Sequence, residues 1–145
     1  MNDAIQEFVK TVGEDTPFLC SLATVDEEGH PQVRFVRAKI DEARTLRVPT
    51  FAETRKVAQI RADGRVHLTC GQTDPKTPGS YFQIDGEATI TAEAEERRLC
   101  WTPRLEKWFS GPEDPNYAVV RIEPKRIVAL PIGHPGSASV WTADS

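Results

Sequence analysis

Between Phe18 and Leu130 the chain keeps breaking into short runs of strand formers bounded by turn residues, and this rhythm points to an antiparallel β fold. Phe18 to Val25 is one such run, and Asp26-Glu27-Glu28-Gly29 follows as a turn. Pro31 to Ala38 returns as the second strand of a hairpin, and Leu46 to Thr50 is a short third. Pro49 donates no ladder hydrogen bond, which suits a strand end or edge. Arg65 to Cys70 alternates, with Val66, Leu68 and Cys70 on one face. Tyr81 to Thr91 is a long fifth strand interrupted at Gly86, and Tyr117 to Glu123 and Arg126 to Leu130 read as two last strands.

The helical signals lie at the margins of this pattern. Ile5, Phe8, Val9 and Val12 recur at helical spacing over Asp3 to Val12, with Gly13 as the stop. Thr54 to Ala62 predicts a short helix closed by Asp63-Gly64, and Glu93 to Trp101 predicts another. Thr102 and Pro103 restart that last helix, as cap and first helical residue. Leu105, Trp108 and Phe109 then share a face, and Trp101, Trp108 and Phe109 are expected in the core or between subunits. Thr73 to Gly79 predicts a loop, and the tail from Pro131 is expected to be loose or packed on a partner. A chain of 145 residues accommodates one domain, residues 1–145. The fold expected is mainly β (α+β), an antiparallel barrel or sandwich with peripheral helices.

Charge and cysteine content narrow the chemistry. A net charge of -4 gives no overall attraction to nucleic acid or to an anionic membrane, so an anionic ligand needs a local basic cluster. Cys20, Cys70 and Cys100 are an odd number at wide spacing with no C-x-x-C pair, which argues against a disulfide framework and a zinc site. They are expected as buried, inert thiols. His30, His67 and His134 lie far apart, so neither a metal triad nor a nucleophile–histidine–acid arrangement is indicated. His67 alternates out of phase with Val66 and Leu68 and should face solvent or a site. Trp141 is a large aromatic in the tail, suited to covering a partner or a cofactor. With no signal-peptide pattern or membrane-length apolar run, a cytoplasmic location is expected.

One cluster carries chemistry. Arg34, Arg37 and Lys39 are followed closely by Thr50 and then Thr54-Arg55-Lys56, which opens the short helix. Unpaired backbone N–H groups and the helix dipole favour an anion there, and paired cations beside a hydroxyl can hold a phosphate. Hairpin geometry brings Arg34 toward the same point. Strand alternation sets Arg34 and Arg37 on opposite faces, so both serve one ligand only across a bulge.

The stretch Gly29 to Lys39, G-x-P-x-x-R-x-V-x-x-K, followed by Thr54 to Val66, T-R-K-x-x-x-I-x-x-D-x-R-V, resembles the pyridoxamine 5'-phosphate oxidase family. Tyr81 to Ala88 resembles that family's next strand, and Leu99 to Trp101 with Trp108 to Pro115 resembles its general-stress-protein branch. The resemblance implies a Greek-key split β-barrel that binds FMN, with two flavins at a homodimer interface. It places Arg34 and the backbone at Phe35 and Val36 on the FMN phosphate and ring edge, and Pro49 and Thr50 on the flavin. Arg55 and Lys56 clamp the phosphate, and Thr54 supplies the hydroxyl of the family's usual Ser. Lys39 matches a lysine on the substrate side, and Tyr81 stands where Gln often meets the ring.

Two departures set the limits of the resemblance. Arg37 stands where an apolar residue is usual, and the C-terminal Arg-x-His of the authentic oxidase has no counterpart, since no Arg follows Arg126. The leading expectation is therefore a homodimeric FMN-dependent oxidoreductase of unknown substrate, other than a true pyridoxamine phosphate oxidase. The alternatives are a split barrel using the deazaflavin F420 or haem, and a non-catalytic flavin-binding or interaction protein. No catalytic residue is indicated.

Overall fold

The computed structural model describes residues 4–71, 76, 79–131 and 133–143, so most of the loop expected at 73–79 lies outside it. Among these residues the elements run α1 (Ala4–Val12), β1 (Phe18–Val25), β2 (Pro31–Ile40), β3 (Leu46–Phe51), α2 (Arg55–Ala62) and β4 (Arg65–Gly71). They continue with β5 (Ser80–Thr91), α3 (Ala94–Cys100), a 3-10 turn (Pro103–Lys107), β6 (Tyr117–Pro131), a second 3-10 turn (Pro135–Ser137) and β7 (Ser139–Thr142).

The strands pair antiparallel in the order β3-β2-β1-β4-β5-β6-β7, and β3 also pairs with β6. That extra pairing closes β1 to β6 into a six-stranded barrel and removes the free edges an open sheet would carry. Pro49 sits inside the β3–β6 ladder opposite Val119, near the end of β3. Inward residues such as Leu22, Leu68, Phe82, Ile84, Ile122 and Ile127 have no solvent exposure and fill the barrel. The amphipathic α1 covers it by burying Ala4, Ile5 and Phe8, and the Phe8 ring lies edge-on to Phe18 and Phe82 at 5.7 and 5.3 Å.

The last two expected strands are one continuous strand, β6. The β5–β6 register shifts between Asp85 and Gly86, so Gly86 faces Pro124 and Asp85 faces Arg126, leaving Lys125 as the extra residue of a bulge. A bulge is where a proline can sit within a sheet, so Pro124 does not end the strand. Gly86 is the other half of this device, because a Cβ there would meet the Ile122 side chain at 2.6 Å.

Part of the tail is built into the sheet. Residues Ser139–Thr142 form β7 on β6, taking over at Arg126 the edge that β3 leaves at Ile122, and Trp141 packs part-buried against the barrel core. Composition hid this, since Gly, Ser and Pro in the turn before β7 dominate the segment.

A second, smaller core of Cys100, Leu105, Phe109, Tyr117 and Val119 joins α3 and the first 3-10 turn to the barrel, with Trp101 packed against it. Trp108 lies half exposed and outside this core in the single chain, because the turn ends at Lys107 and Trp108 has left helical geometry at φ -123. All three cysteines are free and buried, as expected.

Candidate functional site

Arg34 points inward from β2 while its neighbours Val33 and Phe35 point out, as strand alternation requires. Its guanidinium donates from Nη1 to Thr24 Oγ1 at 2.6 Å, to the Leu22 carbonyl at 3.2 Å and to the Gln32 carbonyl at 3.3 Å. Nη2 donates to Gln59 Oε1 at 3.1 Å. Thr24 and Gln59 are themselves buried, and the Thr24 hydroxyl donates to Gln59 Oε1 at 2.6 Å. A strand residue and a helix residue thus hold one cation in place using neutral oxygens alone.

Two more cations join it from α2. Lys56 donates from Nζ to the buried Thr50 hydroxyl at 2.6 Å, tying the helix to the end of β3. Arg55 opens α2 and is exposed. Thr54 precedes the helix in an extended conformation, but its hydroxyl donates back to the Phe51 carbonyl at 3.2 Å and does not cap. The first turn holds no acidic residue, so its N–H groups are left uncapped by these side chains.

The cluster is electrostatically unfinished. Arg44, Arg47, Arg65, Arg98 and Arg121 each reach a carboxylate, whereas among the described residues Arg34, Arg55 and Lys56 form no ion pair. Burial, and after it the Arg55 charge, lowers the Arg34 pKa, and burial followed by the Arg34 charge holds Lys56 below the ordinary lysine range. Both shifts have the sign of cations held near one another without a counter-ion. An anion docked here would reverse them.

The other residues singled out in the sequence fall elsewhere. Lys39 and Pro49 line a small apolar slot of about 40 Å³ with Arg37, Leu105 and Trp108. Phe35 and Tyr81 border a cleft of about 720 Å³ whose floor includes Cys20 and Cys70. Val36 packs part-buried against the barrel core. One chain therefore gathers Arg34, Thr50, Thr54, Arg55 and Lys56, and leaves Phe35, Tyr81, Lys39 and Pro49 apart from them. Arg37 is exposed on the face opposite Arg34.

Sequence reading missed Thr24 and Gln59. A glutamine between the buried Val57 and Ile60 was the available signal, because a buried amide needs a partner. His67 faces outward and its Nδ1 lies 2.8 Å from Asp85 Oδ1, its cross-strand neighbour. Among the described residues no group of three or more His, Cys, Asp or Glu is placed to hold a metal, and no helix is long and apolar enough to cross a membrane.

A closed six-stranded antiparallel barrel with three helices around it is the split barrel of the pyridoxamine 5'-phosphate oxidase type. The chain belongs to that family: the family profile described as pyridoxamine 5'-phosphate oxidase matches residues 1–130. General stress protein 26 of Bacillus subtilis is 34% identical over 113 residues, covering 78% of this chain and 79% of that protein. The crystal structure of General Stress Protein 26 from Bacillus anthracis superposes with a TM-score of 0.72 at 26% identity, covering 86% of this chain and 92% of that one. Two more distant structures share the fold. One is titled F420 reductase (TM-score 0.59, 22% identity, 82% and 94% covered) and the other is a heme binding protein from Mycobacterium smegmatis (0.69, 16%, 92% and 56%).

Proposed function

We propose that this protein binds FMN, that Arg34, Arg55 and Lys56 hold its phosphate, and that it works as a flavin-dependent oxidoreductase on a small molecule. The observation that carries the reading is the cluster of three cations without a carboxylate, two of them part-buried, at the first turn of a helix free of acidic residues. A phosphate supplies what this cluster lacks: two negative charges and several acceptor oxygens. Thr24 and Gln59 fix the Arg34 guanidinium in advance, so little side-chain freedom is lost on binding. Thr50 does the same for Lys56.

When bound, a flavin supplies hydride and electron transfer, while the protein holds and orients it. Phe35 and Tyr81, with Pro49 and Lys39 in their slot, would then meet the ring and the substrate side. They lie apart from the clamp in one chain, which supports a homodimer in which two chains complete each site. The outward Leu19, Val33 and Phe35, exposed at 58%, 66% and 78%, offer an apolar surface for such a contact. We place this activity in the cytoplasm.

F420 is the second reading. It also carries a phosphate, though as a diester with one charge that would satisfy the clamp less fully, and a structure titled F420 reductase shares the fold. Haem has less support, since the heme binding protein that shares the fold is 16% identical and shows the fold alone.

The reading is tested by loading purified protein with FMN and separating it from free flavin by size. Flavin absorbance should co-elute at one per chain in a dimer-sized peak, with turnover on NAD(P)H and an acceptor panel. A protein that stays colourless at saturating FMN would sink the reading, while a coloured protein without turnover would reduce it to a carrier.

A further inference from the structure

Cys20 and Cys70 point into the barrel from adjacent antiparallel strands. The β1–β4 register sets Ser21 opposite Thr69 and Leu22 opposite Leu68, and carried one residue further it sets Cys20 opposite Cys70. Directly opposed residues on such strands lie about 4.5–5.5 Å apart at Cα, and a disulfide spans about 4.4–6.8 Å. Their side chains share a face, because both positions are buried in the alternating pattern. Burial raises both thiol pKa values, and at Cys70 the neighbouring Cys20 adds a smaller contribution.

The pair is buried, at 3% and 6% exposure, with its side chains on the barrel side of the two strands. Both residues line the cleft of about 720 Å³ bordered by Phe35 and Tyr81, which admits a molecule the size of a peroxide. Cys100 supplies an internal contrast. It is equally buried at 2% exposure, sits in the second core without a facing cysteine, and lines the slot of about 40 Å³ rather than this cleft.

We propose that Cys20 and Cys70 are an oxidisable cross-strand pair, a modification site that a small peroxide converts to a disulfide beneath the cleft. One thiolate attacks the peroxide O–O bond, giving a sulfenic acid and one water. The facing thiol then attacks that sulfur and a second water leaves, so two thiols and hydrogen peroxide give one disulfide and two waters. The bond would pin β1 to β4 where the observed ladder between them stops, under two residues read as ring contacts. The proposal does not depend on a bound cofactor.

Thiol acidity and geometry predict different products, which makes the test sharp. Burial pushes Cys20 and Cys70 up to about 12 and Cys100 only to about 11, so acidity alone favours Cys100. Native full-length protein is treated with hydrogen peroxide, unfolded, alkylated with N-ethylmaleimide and mapped by mass spectrometry. The expected product has lost two alkylation sites together, carries Cys20 and Cys70 in one cross-linked peptide pair, keeps Cys100 alkylated, and regains all three sites after dithiothreitol. The cross-link should survive Cys100→Ala and disappear in Cys70→Ala; if either variant fails to fold, the wild-type map decides alone. Oxidation of Cys100 first, separate sulfinic acids on Cys20 and Cys70, or three thiols untouched by peroxide that oxidises the unfolded chain would each overturn the proposal.

Discussion

Arg34 on β2 and Arg47 on β3 are both drawn into the barrel wall, but they are finished in opposite ways. Arg47 is 6% exposed and donates from Nη1 to Asp41 Oδ2 at 2.6 Å, from Nε to Glu96 Oε1 at 3.0 Å and from Nη2 to Glu96 Oε2 at 3.1 Å. Glu96 also reaches Arg121, which pairs with Glu123, so α3 is tied to the β3–β6 seam by a network of alternating charge. Burial alone would lower the Arg47 pKa, but its two carboxylates overcome that and raise it. Arg34 receives only neutral oxygens, and its pKa falls. The comparison separates an arginine whose counter-ions come from the chain from one that the chain supplies only with a neutral scaffold.

The largest effect should come from breaking the finished side. Arg47→Gln takes away the cation that Asp41 and Glu96 share, leaving Glu96 to Arg121 alone, and thermal or urea unfolding should show a loss of about 3 kcal/mol. Arg34→Gln should change stability by less than about 1.5 kcal/mol, because it removes hydrogen bonds to neutral groups and relieves repulsion with Arg55 and Lys56. Equal losses at the two positions would erase the distinction.

Next in size is the ligand side. Arg55→Ala/Lys56→Ala should weaken FMN binding by at least about 100-fold, as expected for losing two charge-assisted contacts. Its melting temperature should hold or rise. A variant that binds FMN as well as the parent would move the phosphate elsewhere.

The smallest effect is a pH profile. FMN affinity should rise as the phosphate gains its second charge near pH 6, since the clamp favours the dianion. On the alkaline side affinity should fall as pH rises through the Lys56 pKa of the free protein, which lies below the ordinary lysine range. Bound dianion raises that pKa, so the fall continues until the complex too has lost the proton. Lys56→Arg should remove the alkaline fall; a fall that persists unchanged would assign it to another group.

Much of this was legible in the sequence. The barrel strands and the basic cluster could be read because strand alternation and turn chemistry are local, and because Arg34, Arg55 and Lys56 lie in one compact motif. Long-range pairing was not legible. The closure of β3 on β6, the β7 strand and the continuity of β6 through Pro124 depend on which strand stands alongside, and no window of sequence contains that. The Thr24–Gln59 scaffold joins residues 35 positions apart, and it is what turns Arg34 from one surface-looking cation into a fixed one. Phe35 and Tyr81, which the resemblance places near the ring, border a cleft that the basic cluster does not line, and alternation sends Phe35 outward and Arg34 inward.

The central claim is that the unfinished cluster exists for a phosphate. It is met most directly by calorimetric titration of the same protein with FMN and with riboflavin, which share a ring and differ in that group. The account predicts FMN binding at least about 100-fold tighter, a gap that closes in Arg55→Ala/Lys56→Ala. Equal affinities for the two in the parent protein would contradict it.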